Sequence, residues 1–234
     1  MKTIGLIGGM SWESSLEYYR LINEMVKNRL GGFHSAKCIM LSVDFAEIEE
    51  LQHSGRWDEA GRIMAEAAKS LQKAGADLVV LCTNTMHISS PEIESAINIP
   101  FLHIADAAAV KIQKAGLMRI GLLGTRFTME KDFYTRRLIE KFGIEVVIPE
   151  EADREIVHRV IYDELVKGFI RPESRVEYQQ VISRLVNNGA GGIILGCTEI
   201  GLLIKEGDVS VPLFDTTPIH AEAAVNFALE QINP

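Results

Sequence analysis

An α/β protein of two similar lobes is what the sequence predicts, and two observations carry that prediction. Short apolar strands alternate with helical periodicity from end to end, the pattern that builds parallel sheets covered by helices. The chain also repeats itself. Ile-Gly-Leu-Ile-Gly at 4–8 returns as Ile-Gly-Leu-Leu-Gly at 120–124, an offset of 120 − 4 = 116. The stretch 75–83 returns as 189–197 at offset 114, and 99–102 returns as 211–214 at offset 112. Three anchors in one order, each step shifted by two residues, point to two lobes related by pseudo-twofold symmetry. The expected boundaries are 1–100 plus 215–234 for the first lobe and 101–214 for the second. No Pro- or Ser-rich linker divides them. A ligand is therefore expected in the cleft between the lobes, outside the carboxyl ends of both sheets.

The elements follow in order. A first strand is expected over 3–8, and its apolar run is too short and too glycine-broken for a signal peptide. Helical periodicity covers 12–30, followed by a strand at 37–43 and a helix at 57–74 that Gly75 ends. Strand 77–82, helix 87–97, strand 101–104 and helix 105–115 come next, with Gly116 as the stop. Strand 119–124 leads to helix 128–142, which Thr128 before Met129-Glu130 would cap and Gly143 would end. Strand 144–148 and helices 151–167 and 174–188 follow, the last stopped by Gly189. Strand 192–196, a short helix at 199–204, strand 212–214 and helix 218–232 complete the chain. Thr217-Pro218 is the expected start of that last helix, a cap before a first-turn proline.

Composition narrows the function. The chain of 234 residues is 47% hydrophobic and 24% charged, with a net charge of −8. No Lys/Arg cluster offers a surface for nucleic acid or anionic lipid. No apolar stretch approaches the ~18 residues of a membrane span. A soluble, cytoplasmic protein acting on a small molecule is expected. Cys38, Cys82 and Cys197 are too few and too widely spaced for a disulfide framework, and with six scattered histidines they give no metal-ligand pattern.

The repeat brings two strand ends into register. One reads Cys82-Thr83-Asn84-Thr85-Met86-His87; the other reads Gly196-Cys197-Thr198-Glu199-Ile200. Thr83 and Cys197 are equivalent, each where a buried strand meets the start of a helix. Backbone N–H groups and the positive end of a helix dipole there would favour a bound carboxylate and lower a thiol's pKa. Cys197 is on that ground a candidate thiolate base. By position alone it reads equally as a small buried cysteine.

This pair resembles the signature of the cofactor-independent aspartate/glutamate racemase family, Cys-Asn-Thr in one lobe and Gly-Cys-Thr in the other. The resemblance spans the chain and includes Gly8-Gly9-Met10 and Gly124-Thr125. Glu199 after Cys-Thr is similar to the aspartate racemase branch. The sequence departs from the pattern where the first cysteine would stand: Thr83 occupies that place, as in a subgroup specific for L-aspartate and L-glutamate. Cys82 is one residue early and so on the opposite strand face.

The resemblance implies interconversion of L and D acidic amino acids, with Cys197 and Thr83 exchanging the α-proton and no metal or other cofactor involved. It further implies that Asn84, Thr85 and Thr198 bind the α-carboxylate and amino group, and that Met10 approaches the substrate through its backbone. Lys167 and Gln52 would hold the distal carboxylate, with Arg56 and Arg126 as spare cations. A homodimer is the family expectation. Two rival functions stay open: a single-cysteine decarboxylase acting on a malonate, and a non-catalytic dicarboxylate-binding protein.

Overall fold

The computed structural model describes residues 1–230. Two compact units divide the chain: Met1–Ile104 with the stretch from His220 onward, and Ala105–Ile219.

In the first unit, β1 (Ile4–Gly8) lies at the centre of a sheet with β2 (Cys38–Ser42), β3 (Leu78–Leu81) and β4 (Phe101–Leu102). All pairs are parallel, in the order β2-β1-β3-β4, with Ile7 opposite Leu41 and Leu81. Alternation along β1 and β3 splits the core in two. Ile7, Val79 and Leu81 face helices α2 (Phe45–His53), α3 (Trp57–Lys73) and α4 (Ser90–Ala96), where Ile48, Met64, Leu71 and Ile93 are buried. Ile4, Leu6, Leu78, Val80 and Cys82 face α1 (Trp12–Leu30) and the last helix, with Tyr18, Ile22, Val26, Ala224 and Val225. Each such aliphatic side chain contributes about 1.5–3 kcal/mol by leaving water.

The second unit repeats the plan. Strands β5 (Arg119–Gly124), β6 (Glu145–Val147), β7 (Ile193–Gly196) and β8 (Leu213–Asp215) form a parallel sheet in the order β6-β5-β7-β8. Leu123, Ile193 and Leu195 pack against α8 (Glu151–Asp163), α9 (Pro172–Asn187) and α10 (Ile200–Leu203). Helices α5 (Ile104–Lys114) and α7 (Asp132–Phe142) are fastened by Arg137, whose guanidinium donates to both Asp106 oxygens at 2.5 and 2.9 Å. The Arg137 and Lys141 hydrogen bonds outweigh burial and hold the Asp106 carboxyl below its ordinary range.

All eight expected strands are present, and Gly75, Gly116, Gly143 and Gly189 all have positive φ. The helices differ in detail. Helix α2 has no sequence-based counterpart. The expected helix 128–142 is two, α6 (Arg126–Glu130) and α7, broken at Lys131, whose backbone is extended. Thr125, not Thr128, caps α6: its hydroxyl accepts the Thr128 N–H at 3.3 Å. The expected helix 151–167 ends at Asp163, and Leu165–Lys167 form a 3-10 turn. The last helix, α11 (Thr216–Leu229), starts before Thr217 because Asp215 takes the capping role, accepting the Thr217 N–H at 3.1 Å. Positions 231 and 232 of the expected helix lie outside the described residues.

Candidate active site

In an open parallel sheet, the crevice for a ligand opens where neighbouring strands send their connections to opposite faces. In the first unit that place is between the ends of β1 and β3. After β1, Gly9 has φ +98°, and a Cβ there would lie 2.1 Å from the Val43 carbonyl oxygen, so only glycine fits. The Gly9 N–H donates to Ser15 Oγ at 2.8 Å, and Ser11 Oγ caps α1 by accepting the Ser14 N–H at 3.3 Å. Ser14 Oγ donates to the Cys82 carbonyl at 2.7 Å, which fastens the start of α1 to the end of β3. Met10 is buried in the α2–α4 core beside this turn.

Thr83, Asn84 and Thr85 are all buried where β3 gives way to a 3-10 turn over Thr85–Ser89. Gln52 on α2 donates through Nε2 to Met86 Sδ at 3.2 Å, so it too is tied to this turn. Five of the expected residues thus gather at one end of the first sheet. Cys82 lies on the other face, in the core with Tyr18 and Ala221, and burial raises its thiol pKa. Cys38, also pushed up by burial, stands at about 11.

The second unit places Cys197, Thr198 and Glu199 after β7 in the equivalent position. Cys197 is 8% exposed and donates its thiol hydrogen to Glu199 Oε2 at 3.0 Å. The Thr198 hydroxyl donates to the same oxygen. The Asp215 carboxylate, at the end of β8, crowds Gly201: a Cβ on Gly201 would lie 2.2 Å from its Oδ2. The expected lowering of the thiol pKa is reversed here. Burial raises it, the Glu199 charge and hydrogen bond raise it further, and Asp215 adds to the same side. Only the Glu199 backbone N–H pulls the other way. Helix α10 is four residues long, too short for the dipole that the sequence-based argument assumed.

Lys167 closes the 3-10 turn whose Leu165 shares a core with Ile200 and Leu203 of α10. Its side chain is 56% exposed, with Nζ 3.7 Å from Asp163 Oδ1. Of the spare cations, Arg56 is paired with Glu59 and Arg126 with Glu155. Cys197, Thr198 and Lys167 therefore belong to one unit, with the Lys167 side chain turned to Asp163, and Met10, Gln52, Thr83, Asn84 and Thr85 belong to the other.

In the sequence Glu199 marks only a family branch, and neither Asp215 nor Ser14 stands out as a site residue. Asp215 was legible in principle, because it directly follows the repeat anchor 211–214 at the carboxyl end of an expected strand, where ligands bind.

The profile of the Asp/Glu/hydantoin racemase family matches residues 7–224. The chain belongs to this family. Among solved structures, a candidate Asp/Glu racemase from Yersinia pestis is 57% identical, with a TM-score of 0.93 over 98% of this chain and 100% of the other. An aspartate racemase homologue from Pyrococcus horikoshii is 36% identical, with a TM-score of 0.85 over 97% and 99%. The broad specificity amino-acid racemase RacX of Bacillus subtilis is 23% identical over 172 residues, 72% of each chain. Among the described residues, no helix is long and apolar enough to cross a membrane.

Proposed function

We propose that the protein interconverts the L and D forms of aspartate and glutamate without a cofactor, by α-proton exchange between Cys197 and Thr83. The observation that carries the reading is the Cys197 thiol donating to a buried carboxylate at the end of β7, in a chain of the racemase family. A thiol held up by burial and by Glu199 is a poor resting thiolate, so activation has to accompany substrate binding. Glu199 takes the thiol proton as Cys197 sulfur takes the substrate's α-hydrogen. The carbanion, spread into the α-carboxylate, accepts a proton from the Thr83 hydroxyl on the opposite face. Thr83 regains its proton from solvent, and Glu199 returns one to solvent.

In this reading Asn84, Thr85 and Thr198 bind the α-carboxylate and amino group, with the Met10 backbone alongside. Lys167 supplies the charge for the distal carboxylate and Gln52 a neutral amide, a pairing that tolerates both acids because no bidentate guanidinium fixes chain length. A homodimer belongs to the same proposal. Trp12, Leu16, Tyr19 and Met40 form an exposed apolar face on α1 and β2, and a native mass of twice 26.0 kDa is expected.

The test incubates purified protein with L-glutamate, L-aspartate and a malonate, followed by chiral chromatography. The D acids appear if the reading holds. Carbon dioxide from the malonate alone would make it a decarboxylase, and binding without turnover a dicarboxylate-binding protein.

A further inference from the structure

Three buried imidazoles stand behind Thr83. His87 and His103 have ring centroids 4.6 Å apart, and His87 and His220 5.7 Å. His220 is itself held between the Tyr18 hydroxyl, at 2.9 Å from Nδ1, and the Leu102 carbonyl, at 2.8 Å from Nε2. The hydrogen bonds of His87 define its chemistry. Its Nδ1 lies 2.7 Å from the Thr83 carbonyl oxygen, which can only accept. Its Nε2 accepts the Ile104 N–H at 3.1 Å, which can only donate. The ring is therefore the neutral Nδ1–H tautomer. Neither nitrogen is directed at the Thr83 hydroxyl, so His87 is not a base for it.

The local backbone explains why an imidazole is needed. In an α-turn the His87 N–H would reach the Thr83 carbonyl, but the tighter 3-10 geometry sends it to Asn84 oxygen, at 3.0 Å. The side chain takes the place of that lost N–H and at the same time satisfies a first-turn N–H of α5. The second unit shows the contrast. There the Ile200 N–H caps the Cys197 carbonyl at 3.2 Å, and the repeat partner of His87 is Gly201. The backbone alone holds the Cys197 carbonyl, whereas a side chain holds that of Thr83.

We infer that His87 is a positioning residue for the Thr83 half of the reaction: its Nδ1–H bond to the Thr83 carbonyl fixes the peptide that presents the Thr83 hydroxyl. This rests on the α-proton exchange proposed above. Three variants separate the two hydrogen bonds. Asn carries an N–H where His has Nδ1, Gln carries an acceptor where His has Nε2, and Ala carries neither. Each is incubated with L- and D-glutamate in D2O, with α-deuteration followed by proton NMR and inversion by chiral chromatography on the same samples. His87→Gln and His87→Ala are expected to lower inversion about tenfold or more, the scale of one hydrogen bond. Deuteration on the Cys197 side stays within about threefold, and His87→Asn restores inversion to the same range. Inversion and deuteration falling in proportion in the Gln and Ala variants would overturn the positioning role, as would an Asn variant no better than Ala. Wild-type protein that neither deuterates nor inverts glutamate would overturn the racemase reading itself.

Discussion

Replacing Glu199 by Gln moves two observables in opposite directions. The carboxylate sits 3.0 Å from the Cys197 sulfur and also takes the Thr198 hydroxyl hydrogen. With burial as the largest cause, its charge and hydrogen bond help to raise the thiol pKa. An amide there removes the like charge, so the thiolate becomes easier to form and the thiol titrates at lower pH. Alkylation of Cys197 by iodoacetamide between pH 7 and 9 (about the range of ordinary thiols) is therefore expected to be faster in Glu199→Gln. Turnover is expected to fall, because an amide oxygen accepts a hydrogen bond but cannot take the proton. Loss of a positioned general base lowers turnover by about 10²- to 10⁴-fold. The assay pairs mass-spectrometric alkylation rates, in a Cys38→Ser background, with chiral chromatography. Turnover that rises together with alkylation would show Glu199 to be only an electrostatic brake, and the base role would be refuted.

Other expectations follow from the same geometry. Lys167→Met should weaken binding of both acids by about 1.5–3 kcal/mol, the range of a charged hydrogen bond, and an unchanged dissociation constant for glutamate would return Lys167 to a surface pair with Asp163. Because the equilibrium constant of racemisation is one, kcat/KM is equal in both directions, so the Thr/Cys asymmetry has to appear in isotope exchange. The enantiomer facing Cys197 should deuterate faster than it inverts, and Thr83→Cys should raise the inversion-to-exchange ratio; equal exchange and inversion from both enantiomers would contradict this. Gly9→Ala should cost at least about 2 kcal/mol, since it combines a strained φ with a contact the backbone must move to relieve. An unaltered Tm would show that the Gly9 turn has more freedom than its 2.1 Å approach to Val43 implies.

The strands were legible because each holds a short apolar run between turn residues, and the central ones, β1, β3, β5 and β7, are buried on both faces. Helix α2 was not, although Asp44 caps it and Ile48 and Leu51 lie on its inner face. A polar residue, Gln52, is buried on that same face and interrupts the apolar count in a helix of only nine residues. The breaks at Lys131 and Glu164 carry no glycine or proline, so periodicity ran through them. At the site, the repeat gave Thr83 and Cys197 equivalent positions at strand ends, where the structure has them. The sign of the Cys197 shift was out of reach, because it depends first on how completely the thiol is buried and then on where a carboxylate two residues further on points. The Thr83 clamp was hidden for a similar reason: a 3-10 turn and an α-turn differ by one hydrogen bond that the residue types do not dictate.

Among all these measurements, the activity of Cys197→Ser tests the central claim most directly. A serine hydroxyl keeps the shape and can still donate to Glu199, but it is a far weaker acid than the thiol. The variant should bind glutamate nearly as wild type does while losing both α-deuteration and inversion in D2O. More than a few per cent of wild-type inversion in the variant would contradict the assignment of Cys197 as the group that removes the α-proton.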